Sequence, residues 1–266
     1  DDDNDYLGES LDYYLNDHVG VWDVGEGTMT LAASVTDTFA NPVDNYFEES
    51  ESMTFSTCQC GTEASLSALD WSHTSAVSES SDGSVYLASL RDINTVVAFS
   101  TSTGEVAWSI SSSASDGIPS TLSFASKDQT FYDVHDAQLI GTDKLLLMDD
   151  GNNRDGCTMD GYDDETGCFT RAVRYDIDWT TNTTSLAWEF EFSVEKSATT
   201  TYADLKSKDL FVPDGGSATP YGSEYVFVAF TVTCKESSYG NFAWIFQVNK
   251  DDATDVSSEI RIARDL

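Results

Sequence analysis

Short apolar or alternating runs, set apart by Gly, Asp, Asn and Ser, recur along the whole chain, and helical periodicity is scarce. Alternation of period two sends successive side chains to opposite faces of a strand, so the pattern predicts an all-β protein. Four groups of strands can be drawn. The first spans about 18–39, with strands at 19–23 and 28–32 around a turn at 25–27. The second spans 70–110 and holds strands at 84–89, 95–99 and 105–109. In the third, 131–192, strands fall at 137–140, 144–148, 171–176 and 185–190. The fourth contains 225–233, 242–248 and 259–263. A short helix is expected around 202–208, and the acidic, Ser-rich stretch 41–68 is expected to be a surface insertion without strands.

The second and third groups share a plan: a polar opening with a His, a middle strand, and a last strand ending in Trp. Repetition of about four strands per unit is how propeller blades read in sequence. The expectation is therefore a β-propeller of four-stranded antiparallel blades, about four of them in this chain. Residues 1–266 would form a single propeller domain or the C-terminal portion of one, part of a six-bladed ring. Trp22, Trp71, Trp108, Trp188 and Trp244 recur near strand ends and are expected to pack between blades.

Composition sharpens this picture. A hydrophobic share of 40% and an aromatic share of 12% suffice for a packed core, which sets the chain apart from disordered ones. Against 47 Asp and Glu stand 13 Lys and Arg, a net charge of -34. Such a field repels nucleic acid and anionic membranes and suits saline surroundings. The longest apolar run, 225–232, has the length of a strand and not of a membrane span.

Of the five cysteines, Cys157 and Cys168 bracket a Gly- and Asp-rich loop and read as a disulfide closing residues 155–169. Cys58, Cys60 and Cys234 are left without an assigned partner. Disulfides imply an oxidising, extracellular compartment, and the sequon at Asn182 fits a secreted glycoprotein. No C-x-x-C pair exists and no His lies near a Cys, so zinc is not indicated. The opening Asp1-Asp2-Asp3-Asn4-Asp5 reads as a processed product or a portion of something longer.

Four motifs carry candidate chemistry. Trp71-Ser72-His73 opens the second group and is followed by Ser89-Leu90-Arg91 and Thr103-Gly104-Glu105-Val106-Ala107-Trp108. Val134-His135-Asp136-Ala137, the loop Met148-Asp149-Asp150-Gly151-Asn152-Asn153-Arg154, and Thr170-Arg171-Ala172-Val173-Arg174-Tyr175 follow in order. Over about 70–190 these motifs resemble the arylsulfotransferase family in order and spacing. The resemblance implies transfer of sulfate from one phenol to another through a sulfated His, with no nucleotide donor and no required cofactor. It implies that His73, His135 and Arg154 are catalytic and line a pocket at the propeller axis. Arg91, Asp136, Asn152 and Arg171 would bind a small phenolic or sulfated ligand. The chemistry is sensible in itself, because sulfuryl transfer needs cationic donors around three equatorial oxygens.

One departure stands out: the family's nucleophilic His lies on a later blade, and here no His follows His135. The role falls to His135, His73 or another residue, or the chemistry has been lost. Another chain or a precursor segment could also complete the ring. Structural readings stand beside the functional ones. His73 and His135 could be hydrogen-bonded histidines at blade edges, and Arg171 and Arg174 could form surface salt bridges. Asp149, Asp150 and Asn152 could hold Ca²⁺. The whole chain could be a non-catalytic extracellular structural or ligand-binding propeller.

Overall fold

Successive strands are separated by turns in which Gly or Asn takes a left-handed conformation, as at Gly27, Asn94, Gly104, Gly141, Asn182 and Gly222. Those turns let the chain reverse and lay each strand antiparallel to the last. The computed structural model describes residues 13–14, 17–35, 52–59, 62–69, 71–113, 118, 120–151, 154, 169–191, 215–232 and 242–263. In chain order the strands are β1 (Tyr13–Tyr14), β2 (His18–Asp23), β3 (Thr28–Ser34), β4 (Ser52–Gln59), β5 (Thr62–Leu69) and β6 (Thr74–Glu79). They continue with β7 (Val85–Leu90), β8 (Thr95–Ser100), β9 (Val106–Ser111), β10 (Ser123–Phe124), β11 (Val134–Ile140) and β12 (Lys144–Asp149). The last are β13 (Arg171–Asp178), β14 (Thr183–Glu191), β15 (Gly216–Tyr221), β16 (Tyr225–Val232), β17 (Phe242–Asn249) and β18 (Val256–Ala263).

The all-β, blade-like reading holds. β6–β9, β11–β14 and β15–β18 are three antiparallel four-stranded units, and β10 adds a short parallel partner to β14. β2 and β3 form a two-stranded sheet, and β4 and β5 a hairpin joined by β1. That hairpin corrects the expectation of a strandless insertion at 41–68. Its alternation rests on Met53, Phe55 and Leu66 set among Ser, Thr and Ala, a thin apolar pattern. The helix expected at 202–208 and the loop 155–169, with Cys157 and Cys168, lie outside the described residues, as do Cys60 and Cys234.

The core lies between units. Leu146, Met148, Trp188 and Phe190 of one face Val228, Phe230, Trp244 and Phe246 of the next. Leu87, Val96, Ala98 and Trp108 meet Leu145, Leu147, Val173 and Tyr175 in the same way. A third layer sets Val19, Ala33 and Val35 against Trp71, Leu90, Val97 and Phe99. Strands buried on both faces explain why the sequence shows continuous apolar runs such as Val96-Val97-Ala98-Phe99 where alternation would be expected of a half-exposed sheet. Trp71, Trp108, Trp188 and Trp244 take up the predicted packing, whereas Trp22 is 59% exposed. It shares an open face of β2 and β3 with Met29 and Leu31.

β6, β11 and β15 are the innermost strands and run side by side in the same direction. Ser75 Oγ donates to Val134 O (2.8 Å) and Ser78 Oγ to Ala137 O (2.6 Å). Ala218 N donates to Asp136 Oδ2 at 3.1 Å, tying β15 to β11. Because the three strands share a direction, the residues that open them lie at one end of the axis: His73, His135 and Gly215. Among the described residues no helix is long and apolar enough to cross a membrane.

Candidate functional site

The open end of the inner strands concentrates unusual backbone. Four of the five described non-glycine residues with positive φ lie here: His73 (43°), Asn94 (47°), Asp133 (51°) and Asp136 (48°). Left-handed conformations cost free energy in residues with a Cβ and persist where surrounding contacts impose them. The contacts are visible. Asn94 Oδ1 accepts Asp133 N at 2.6 Å, and His73 O accepts Arg91 N at 3.1 Å. Asp136 sits in a β-bulge where the β11–β12 register shifts between His135 and Gln138. Its carboxylate accepts Gln138 Nε2 as well as Ala218 N, and burial raises its pKa. Bulges re-aim side chains at such sites. Ser72, Thr74 N and Thr74 Oγ1 all donate to Asp17 Oδ2, which fixes the segment carrying His73.

His135 is the centre of one cluster. Its Nδ1 lies 2.7 Å from Oδ2 of Asp150 and 3.3 Å from the carbonyl oxygen of Asp133. The ring is mostly buried, which by itself lowers its pKa, yet the hydrogen bond and charge of Asp150 prevail and raise it. Asp150 has no solvent exposure, and burial pushes its carboxyl up to about 6 against the pull of His135. Neither of its oxygens makes a hydrogen bond of regular geometry among the described residues, so Oδ2 meets the ring as a close ion-pair contact. Arg91 closes the cluster, with Nη2 3.3 Å from Asp133 Oδ2 and Nη1 3.4 Å from Asp92 Oδ1. The other edge of the His135 ring faces Gly215: a Cβ there would stand 3.4 Å from Cδ2 and Nε2.

Asp149, the neighbour of Asp150, points to a second cluster. Its Oδ2 accepts Nη2 of Arg154 (2.6 Å) and Nε of Arg171 (2.7 Å), and its Oδ1 accepts Tyr132 N (2.9 Å). The guanidinium of Arg154 lies 4.0 Å above the centre of the Phe169 ring and 5.1 Å from that of Tyr132. Arg171 gives all three of its nitrogens to protein acceptors: Asp149, Glu189 Oε2 (2.8 Å) and Thr130 O (3.0 Å). Burial works against its charge, and Asp149 outweighs that, so its pKa is raised.

These positions revise several expectations. Arg171 is 5% exposed, and of its two ion pairs one is with the buried Asp149 and the other reaches the exposed carboxylate of Glu189. Arg174 does form the expected surface ion pairs, with Asp176 Oδ1 and Asp251 Oδ1 at 3.8 Å each, and its Nη1 also donates to Lys250 O of the next unit at 2.7 Å. Asp149, one of the Ca²⁺ candidates, accepts from two guanidiniums. Asp150 faces His135, and Asn152 lies outside the described residues. No group of three His, Cys, Asp or Glu side chains that could hold a metal occurs among the described residues. Asn182 is exposed, in the turn between β13 and β14. Asp133 and Gly215 are site residues that motif reading missed. The one signal for Asp133 is its position two residues before His135.

The arrangement offers a half-buried imidazole with a carboxylate behind it and its far edge toward a bare glycine. Arginines stand nearby, in a protein whose charge is otherwise strongly negative. A family model described as Arylsulfotransferase (ASST) matches residues 7–240. No curated protein matches the chain.

Proposed function

The chain belongs to the arylsulfotransferase family, and on that premise we propose that it moves a sulfuryl group from an aryl sulfate to a phenol, with His135 as the carrier. The observation that supports this reading is the pairing of His135 Nδ1 with a fully buried carboxylate, which leaves Nε2 as the ring's outward nitrogen. The Nε2 lone pair attacks sulfur, the S–O bond to the aryl group breaks, and the phenolate leaves with the bonding pair. The oxygen of the acceptor phenol then displaces Nε2 from sulfur, and its proton passes to solvent. Arg91, beside the same opening, and Arg154 at the end of the neighbouring loop supply positive charge for the sulfuryl oxygens, and the His73 ring at that opening offers a further polar contact.

The rival reading, a binding propeller without catalysis, draws support from the way each arginine already has a carboxylate partner. Transfer from p-nitrophenyl sulfate to a second phenol separates the two. Turnover by the wild type that falls by about 10²-fold or more in His135→Ala supports the transfer reading. Folded wild-type protein that turns over no aryl sulfate, or a His135→Ala variant with the wild-type rate, overturns it.

A further inference from the structure

We propose that Asp150 is a positioning residue that fixes the tautomer of His135, keeping the proton on Nδ1 and the lone pair on Nε2. The proposal rests on His135 as the reacting ring, argued above, and goes further by naming the group that decides which nitrogen reacts. Two oxygens surround Nδ1, Oδ2 of Asp150 at 2.7 Å and the carbonyl of Asp133 at 3.3 Å. Both are acceptors, so the nitrogen between them carries hydrogen. Among the described residues no hydrogen bond holds Nε2, and a Cβ built on Gly215, just before β15, would stand 3.4 Å from it.

The location of Asp150 makes the choice firm. Its side chain is fully buried, neither of its oxygens makes a hydrogen bond of regular geometry among the described residues, Oδ2 meets the ring as a 2.7 Å ion-pair contact, and the residue sits just past the end of β12 on a backbone held by strand pairing. A buried carboxylate with one cationic partner loses more by releasing it than an exposed one would, because water cannot replace the contact. The flipped tautomer, with hydrogen on Nε2, would put a lone pair against two oxygens and a proton where sulfur must approach. The charged groups around the ring are Asp150 from the loop after β12, Asp133 and Asp136 from its own segment, and Arg91 from the turn after β7. Of these, Asp150 makes the direct contact with the ring.

The test uses nitrogen NMR of the full chain labelled at histidine, which has three such residues, alongside the pH profile of aryl sulfate turnover. In the wild type, neutral His135 is expected to carry its hydrogen on Nδ1, and its titration midpoint is expected above the ordinary 6.5. Asp150→Asn should lower that midpoint by about one pH unit or more, lower kcat by about 10²- to 10⁴-fold, and shift the acidic limb of the profile to lower pH. Wild-type His135 with its hydrogen on Nε2 overturns the proposal even if the variant does not fold. So does a variant with an unchanged midpoint. Wild-type protein that shows the expected tautomer and midpoint but transfers no sulfate upholds the role of Asp150 and overturns only the transfer reading.

Discussion

His135 and Asp150 form a buried pair, Nδ1 to Oδ2 at 2.7 Å, in which each partner's pKa is raised. For the histidine the gain comes from the carboxylate; for the carboxylate it comes from burial. Both shifts mean that the folded protein holds protons more tightly than the unfolded chain does.

A pH dependence follows. A raised histidine pKa stabilises the fold fully below 6.5, its ordinary value, and that contribution is lost as pH rises through the folded value. The Asp150 carboxyl acts in the same sense between 3.8 and about 6. Transfer by a neutral ring should run the opposite way, rising as pH climbs past the folded pKa of His135. Measured together, thermal unfolding and turnover should therefore diverge above pH 6.5. Parallel curves would disconnect the pair from the reaction.

Arg171 and Arg154 share one carboxylate but should behave differently. Arg171→Ala removes three hydrogen bonds and leaves Asp149 with one guanidinium, so unfolding free energy should fall by about 3–5 kcal/mol. Arg154→Ala removes one bond and two ring contacts. It should cost less stability and a larger share of turnover. Denaturant unfolding of the two variants, set beside their kinetics, gives the comparison.

Gly215→Ala places a methyl group 3.4 Å from Nε2 and forces a side chain to φ +107°. Gly222→Ala meets the backbone cost at φ +61° with nothing within 4 Å of its Cβ. Both should destabilise by about 1–3 kcal/mol, but only Gly215→Ala should raise KM or lower kcat. Equal kinetic effects from the two would dissociate the glycine from the His135 edge.

Leu147 is fully buried between two units, on the strand that ends in Asp149. Leu147→Ala should cost about 2–5 kcal/mol in unfolding and leave the His135 titration where it was. A shifted titration would mean that the inter-blade layer and the site do not separate.

Much of this architecture could be read from residue types, and the failures have physical reasons. β7, β8 and β12 were visible because burial on both faces demands unbroken apolar runs. β15 was hidden by Gly216 and Pro220, residues that normally interrupt strands. It tolerates Pro220 because it is an edge strand, where a missing N–H need not break a ladder. The histidines and arginines of the motifs were legible, but their partners were not. Asp149 opposes Arg171 across the β12–β13 register, 22 residues apart in the chain. Asp150 reached His135 only through the pairing of β11 with β12. Sequence spacing shows which residues carry charge; only register shows which charges meet and at what depth.

The serine contacts between the inner strands have an evolutionary consequence. Neighbouring units are joined there by hydroxyl-to-carbonyl bonds from Ser75 and Ser78, and each four-stranded ladder stays within its own unit, while the segment 121–125 bridges β9 and β14 by main-chain bonds. Duplication or loss of a whole unit therefore breaks no four-stranded ladder and must re-establish a connecting segment, some side-chain bonds and one apolar layer. Blade number in such a lineage can drift by entire modules, while the residues at the axial opening change one at a time.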